Sequence, residues 1–232
     1  MTNAEGSTWR GPRPLHNPLD VARLGEIYSR TAAFYDGIVA EKQAAAKRTA
    51  IELLARVVGE RFLDIGAGTG WAFSRIVAAS GEAGAHGLDV SLGMLELARD
   101  AVRRAGAGAA TLLLGDGRAL PIRGGSIDCI LTTYTFEVMN LPDIAAMLAE
   151  MLRVLRPGGR AAIVNLTDAT DGSEEAEAMI RDWKRRYAAD PESFGGARPL
   201  QMSETVRAAG FETVTRKYVG PEWPSEVLLA RK

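Results

Sequence analysis

From Arg61 to Leu166 the chain repeats one rhythm: a short apolar run, a glycine turn, then a longer helical stretch. Few architectures accommodate it. Residues 61–65 read as a buried strand that ends in glycines, and 71–79 as a helix. A second strand over 85–89 precedes a helix over 92–104. Residues 111–114 and 127–133 read as the third and fourth strands. Ile144, Met147, Leu148, Met151, Leu152 and Leu155 follow the helical period, starting near Pro142 and Asp143 and stopping at Pro157-Gly158-Gly159. A fifth strand spans 161–166, and helices are expected over 174–188 and 203–209. Strands that alternate with helices imply an α/β, Rossmann-like, doubly wound and mostly parallel sheet with helices on both faces. The closing strands, 211–218 and 226–230, have no long helix between them. They are expected to pair antiparallel, which brings the sheet to seven strands.

Ahead of this rhythm, residues 1–20 are rich in Gly, Pro and polar groups, and predict a mobile arm. Residues 21–58 read as a helical segment, with a break near Gly37 that divides it into two helices. The domain over 59–232 follows. The 232 residues suffice for one well-buried core. Lys and Arg number 28 against 29 acids, for a net charge of −1. No basic excess marks a protein that grips nucleic acid through its phosphates. One cysteine and two histidines exclude a disulfide framework and argue against a metal site. No apolar run approaches a membrane span, and the N-terminus lacks the apolar core of a secretory signal, so a cytoplasmic location is expected.

The most informative stretch is Asp64-Ile65-Gly66-Ala67-Gly68-Thr69-Gly70-Trp71. Alternating glycines after a strand let the backbone turn tightly and approach a ligand. Ligands of open α/β sheets bind beyond the carboxyl ends of the strands. The dinucleotide pattern G-x-G-x-x-G is not met: Gly70 comes one residue early, and Trp71 stands where the third glycine would pack. No Lys-Ser or Lys-Thr follows, as a phosphate loop requires. Asp64 would repel a pyrophosphate and attract a cation.

This combination resembles the class I S-adenosylmethionine-dependent methyltransferases. The resemblance covers about residues 58–166, and implies that family's fold and S-adenosylmethionine as cofactor, with S-adenosylhomocysteine as product. In that family the loop Gly66, Ala67, Gly68, Thr69 and Gly70 lies under the methionine part of the cofactor, with Asp64 near its ammonium. Asp89 takes the ribose hydroxyls, beside Val90, and Met94 lies near the adenine. Gly115-Asp116-Gly117-Arg118 looks like the adenine loop, and Thr133 begins the segment that meets cofactor and acceptor. Tyr28 to Asp36 resembles the Tyr-Asp lid of the ubiquinone- and menaquinone-biosynthesis type. Tyr28 and Tyr35, seven apart, would share a helix face that covers the cofactor or simply packs. The implied activity is methyl transfer to a small molecule by in-line attack on the sulfonium methyl, without a metal.

Tyr134 and Glu137 follow the fourth strand and are candidates to assist proton removal from an acceptor. That segment lacks the Asp/Asn-Pro-Pro-Tyr signature of enzymes that methylate base amines, which again argues against nucleic acid. Lys184-Arg185-Arg186 reads as a solvated face or a contact for lipid head groups. Cys129 reads as core, Asp128 as serving its strand, His86 as structural, and His16 as part of the arm. Trp223 is a pocket wall or surface packing. Two other readings stay open: a non-methylating protein on the same scaffold, such as a cyclase or eliminase, and a nicotinamide-dependent oxidoreductase. Acceptor and oligomeric state are left open by the sequence.

Overall fold

The structure is a computed structural model that describes residues 9–81, 84–107 and 110–232. Seven strands, β1 (Phe62–Ile65), β2 (Ala85–Asp89), β3 (Thr111–Leu114), β4 (Ile127–Thr133), β5 (Leu155–Leu166), β6 (Thr213–Val219) and β7 (Ser225–Arg231), form one sheet in the order β3-β2-β1-β4-β5-β7-β6. β1 to β5 pair parallel, and β7 runs antiparallel to both β5 and β6. The expected sheet and its antiparallel closing pair are therefore both present. The reversal of strand order beside β1 is a topological switch point, where such sheets open a crevice.

Side chains of β1 alternate between two cores. Leu63 and Ile65 pack with Ile144, Met147, Leu148 and Met151 of α4 (Leu141–Val154) and Val206 of α6 (Ser203–Ala209). Phe62 packs on the other face with Phe73, Ile76 and Val77 of α2 (Trp71–Ser80) and Val102 of α3 (Leu92–Arg104). A further helix, α5 (Glu174–Ala189), is capped by Ser173, whose hydroxyl accepts from the Ala176 N–H.

The N-terminal helix departs from expectation. It is one helix, α1 (Val21–Leu54), with no break at Gly37. Asp20 caps its start by accepting from the Arg23 N–H at 2.8 Å, and Ala55 ends it in a left-handed conformation (φ 45°). A single glycine inside a helix costs about 1 kcal/mol and does not by itself interrupt it. At about 1.5 Å per residue, 34 residues make a rod of roughly 50 Å. Its C-terminal half, Ala46, Ala50 and Leu54, lies in the α2–α3 core, and Leu24 of its first half joins the α4 core. α1 crosses α3 closely: a Cβ on Gly93 would sit 2.9 Å from the Ser29 carbonyl oxygen.

Two boundaries also shift, and the N-terminal segment differs. α4 ends at Val154, because Leu155 is already extended (φ −64°, ψ 136°), and Arg156-Pro157-Gly158-Gly159 runs within β5. That run includes a register shift between Ile127 and Cys129 of the paired strand. Residues 9–20 are packed, not a loose arm. Trp9 is buried, the Arg10 N–H donates to Thr205 Oγ1 at 3.0 Å, and the Tyr187 hydroxyl donates to the His16 carbonyl at 3.2 Å. Composition missed this because the anchors are single residues, Trp9 and Asn17, between prolines. Residues 1–8 lie outside the described residues.

Candidate functional site

A cleft opens where β1 to β4 end, and encloses about 930 Å³ counted out to its mouth. Most of its wall comes from five places. Gly66, Ala67, Gly68 and Thr69 follow β1; Asp89 ends β2, with Val90 and Met94 after it; Gly115, Asp116 and Gly117 follow β3; Thr133 ends β4, with Tyr134 and Thr135 after it; and Tyr28, Tyr35 and Lys47 come from α1. The first loop is tight: Gly66 adopts φ +73°, and a Cβ there would lie 2.1 Å from Thr135 Oγ1. Thr69 donates to Asp36 of α1 at 2.8 Å, which ties the loop to the helix above it.

Asp89 braces the crevice. Its Oδ2 accepts from the Gly68 N–H at 2.8 Å and its Oδ1 from the Ser91 N–H at 2.9 Å. Burial raises its pKa, against the pull of these backbone donors. Each oxygen keeps a second lone pair for a ligand hydroxyl. Ser91 caps α3 by accepting from the Met94 N–H at 3.2 Å, and shares a hydrogen bond with Ser29 of α1 at 2.8 Å.

Fourteen of the residues singled out in the sequence meet in this cleft. Asp64, Gly70, Arg118 and Glu137 do not line it. Gly70 is the N-cap of α2, at φ +78°. Asp64 lies behind the wall, almost fully buried, with Oδ1 lacking a hydrogen-bond partner. Burial lifts its pKa to about 7, with Lys47 opposing and Asp89 reinforcing the rise. The Arg118 guanidinium grips the Asp116 carboxylate at 2.6–3.1 Å and reaches Asp143 at 2.6 Å. Burial would raise the Asp116 pKa, but the Arg118 hydrogen bonds outweigh it and hold the carboxyl below its usual value.

The two candidates for proton transfer are both engaged elsewhere. Glu137 lies in a single 3-10 turn, Phe136–Val138, and its carboxylate accepts from the Leu166 N–H at 2.6 Å. Tyr134 is a bulky residue in the left-handed region (φ 58°), an uncommon and strained conformation. Its backbone N–H donates to the Val164 carbonyl at 2.7 Å, and its hydroxyl shares a hydrogen bond with Ser225 at 2.8 Å. Burial raises the phenol above its ordinary pKa.

Burial also pushes Glu137 up to about 8 from 4.5, partly offset by the Leu166 N–H and by Arg198. A carboxyl with a higher pKa in the folded chain binds more protons there than in the unfolded chain. Its contribution to stability therefore falls as pH rises from about 4.5 to about 8. Glu137→Gln should show a shallower loss of stability over this range than the wild type, by urea unfolding at pH 5 and pH 8. Parallel slopes for the two proteins would remove Glu137 as the source.

Lys47, Thr135 and Met147 line the cleft without having been named as site residues from the sequence, and Trp71, read there as filling the place of a third glycine, lines it too. Lys47 Nζ lies 5.8 Å from the Trp71 ring centroid and 5.6 Å from that of Tyr134. A signal for it existed. Asp36 and Lys47 are eleven residues apart, three turns of a continuous helix, and so share one face. The expected break at Gly37 hid that.

The other candidates resolve as structural. Asp128 accepts from the Arg61 N–H at 2.7 Å. Cys129 is fully buried, and its thiol is pushed up to about 12. Trp223 packs edge-on to Trp183, with centroids 5.2 Å apart, outside the cleft wall. Lys184 pairs with Asp168 at 2.5 Å, and Arg185 with Asp182 at 2.5 Å, which leaves little free charge in the basic run. Among the described residues, no helix is long and apolar enough to cross a membrane, and no cluster of His, Cys, Asp or Glu is arranged to hold a metal ion.

Residues 62–159 match a family model described as a methyltransferase domain. The chain is 37% identical over 168 residues to the malonyl-[acyl-carrier protein] O-methyltransferase of Methylococcus capsulatus, covering 68% of this chain and 58% of that protein. It is 31% identical over 177 residues to the ubiquinone/menaquinone biosynthesis C-methyltransferase UbiE of Pseudomonas putida, covering 73% of this chain and 68% of that protein. The chain thus spans little more than half the length of the first of these relatives. Among solved structures, the [4+2]-cyclase SpnF superposes with a TM-score of 0.70 at 19% identity, over 91% of this chain and 96% of that one. At that identity the likeness is one of fold.

Proposed function

The chain belongs to the class I S-adenosylmethionine-dependent methyltransferases, and on that premise we propose that it transfers a methyl group from S-adenosylmethionine to a small-molecule acceptor. The observation that carries this reading is the convergence of the Gly66–Gly70 loop, Asp89 and Asp116 on one cleft at the strands' carboxyl ends. The donor set suits the ligand. A buried carboxylate oxygen without a partner, on Asp64, favours a cationic group nearby, and none of the loop's features calls for phosphate.

In this reading Asp89 holds the ribose, Asp116 with Gly115 and Gly117 borders the adenine, and Met94 packs beside it. Gly66 to Thr69 underlie the amino-acid part, and Tyr28 and Tyr35 cover the ligand from α1. Bound S-adenosylmethionine supplies an already activated electrophile, the methyl on its sulfonium. The protein's task is to align two reactants and exclude water. Tyr134 lines the wall and Glu137 lies behind it, and in this reading neither moves a proton, since the Tyr134 hydroxyl is tied to Ser225 and the Glu137 carboxylate accepts from the Leu166 N–H. Tyr134→Phe is therefore expected to keep most of its methyl transfer.

Calorimetric titration of the chain with S-adenosylmethionine, S-adenosylhomocysteine and NADH tests the reading. Micromolar binding of both sulfur nucleotides without NADH is the expected result, followed by mass-spectrometric detection of methylated product across a panel of small-molecule acceptors. A folded sample that binds neither sulfur nucleotide overturns the assignment. The substrates of the relatives make quinone precursors and acyl thioesters the first acceptors to try.

A further inference from the structure

A second cavity lies outside the cleft, between residues 13–20 and the start of α4, and encloses about 1020 Å³ counted out to its mouth. One turn separates the two spaces. Val138 and Met139 line the cleft, whereas Asn17 and Arg198, which hold that turn from behind, line the second cavity. The Asn17 amide donates to the Val138 carbonyl, and the Arg198 guanidinium to the Glu137 and Met139 carbonyls. Two further bonds fix the opposite wall: Asn17 Oδ1 accepts from the Leu19 N–H at 3.1 Å, and the His16 carbonyl from the Tyr187 hydroxyl.

Arg198 carries a charge that its surroundings do not answer. Its side chain is buried, its hydrogen-bond acceptors are neutral carbonyls, and its Nε has no partner. Among the described residues no carboxylate pairs with it, and Glu137 favours its charged form only through space. Burial pushes Glu137 up to about 8, so at neutral pH that carboxyl is mostly protonated. A buried cation without a counter-charge is costly, and an anion that reaches it lowers the cost.

The rest of the wall describes the anion. Arg13 brings a second guanidinium, and Asn140 and Leu141 bring the start of α4, where a helix is partly positive. Asp143 of that first turn is engaged by Arg118 at 2.6 Å. Asp20 is the carboxylate on the wall, and its Oδ1 caps α1 through the Arg23 N–H. Leu15, Leu19 and Leu141 make the remaining surface apolar. We propose that this cavity binds a small organic anion, a carboxylate or phosphate on an apolar body, with its charged head toward Arg198 and its body along the three leucines. The site is separate from the cleft and does not depend on which cofactor the cleft holds.

Calorimetric titration of the full chain with hexanoate, hexyl phosphate and 1-hexanol tests the proposal. At least one of the two charged chains is expected to bind with a Kd below about 1 mM and about tenfold or more tighter than hexanol, the scale of a hydrogen bond to a charged group. The tighter of the two names the head group. A Kd above about 1 mM for both, or a smaller advantage over hexanol, overturns the proposal.

Three substitutions locate the anion. Arg198→Met removes the cation and should abolish the preference over hexanol; a preference that survives overturns the proposal. Should that variant fail to fold, Leu15→Glu and Leu15→Gln decide, since they match in shape and only the first sets a like charge on the wall. Leu15→Glu is expected to bind the anion about tenfold more weakly than Leu15→Gln, and equal affinities overturn the proposal. Lys47→Met alters the cleft, whose wall Lys47 forms, and should leave the affinity within about threefold. A larger loss there puts the anion in the cleft and overturns the second site.

Discussion

Arg198→Ala is expected to destabilise the chain by about 3–5 kcal/mol, the sum of two lost guanidinium hydrogen bonds, one of which strands its acceptor, and a cavity. Arg198 is 1% exposed, the largest of the fully buried side chains. Its guanidinium donates to the Glu137 carbonyl at 2.8 Å and to the Met139 carbonyl at 2.6 Å, and its own N–H donates to the Glu137 carbonyl at 3.1 Å. These bonds fix the turn after β4, between Tyr134 and the Asn140 cap of α4. Alanine leaves the Met139 carbonyl without its donor and the Glu137 carbonyl with only the Arg198 backbone N–H, and it removes a cation that acts on the buried Glu137 carboxyl. The melting temperature should fall roughly 6–20 °C for a chain of this size. Arg198→Met, which refills much of the stem's volume, should recover part of the loss. Lysine should not restore it, because a single ammonium does not span two carbonyls as a planar fork does. A loss below about 1 kcal/mol in urea unfolding of Arg198→Ala would mean that this turn holds its shape without the guanidinium.

Nothing about Arg198 in the sequence announces this. It sits in Ala197-Arg198-Pro199, a plain loop signal, and its partners are backbone carbonyls sixty residues away, which no periodicity reports. The β–α rhythm was legible because it is local: strand, glycine turn and helix each have short-range patterns, and five parallel strands follow from their alternation. The cleft was legible for the same reason, since loops at consecutive strand ends must converge. Failures came where one residue decides. Gly37 suggested a break that the flanking Ala-rich turns override, and with the break went the shared face of Asp36 and Lys47. Pro157-Gly158-Gly159 looked like a terminator, but the backbone had turned extended two residues earlier, and the strand carries the pair as an irregularity. Asp64 and Glu137 have the residue types of site groups. Only their orientation, behind the wall and toward Leu166, separates them from Asp89.

Asp89→Ala is expected to weaken S-adenosylhomocysteine about 30–1,000-fold, the loss of two charge-assisted hydrogen bonds at about 2–4 kcal/mol together. The same substitution removes the acceptor of the Gly68 and Ser91 N–H groups, so part of the loss belongs to the glycine loop. The two parts separate by changing the ligand. If Asp89 takes the ribose hydroxyls, the 2′,3′-dideoxy analogue binds wild type weakly and loses much less on Asp89→Ala. If Asp89 serves only to brace Gly68, both ligands lose the same factor. Unfolding of the free protein provides the third measure: a brace alone lowers stability and affinity together, whereas a ligand contact lowers affinity well beyond what the melting temperature accounts for. Unchanged affinity for S-adenosylhomocysteine would remove the ribose from β2. The cofactor's orientation across β1, β2 and β3 would go with it, because Asp89 is the carboxylate whose two oxygens face both the loop after β1 and the start of α3.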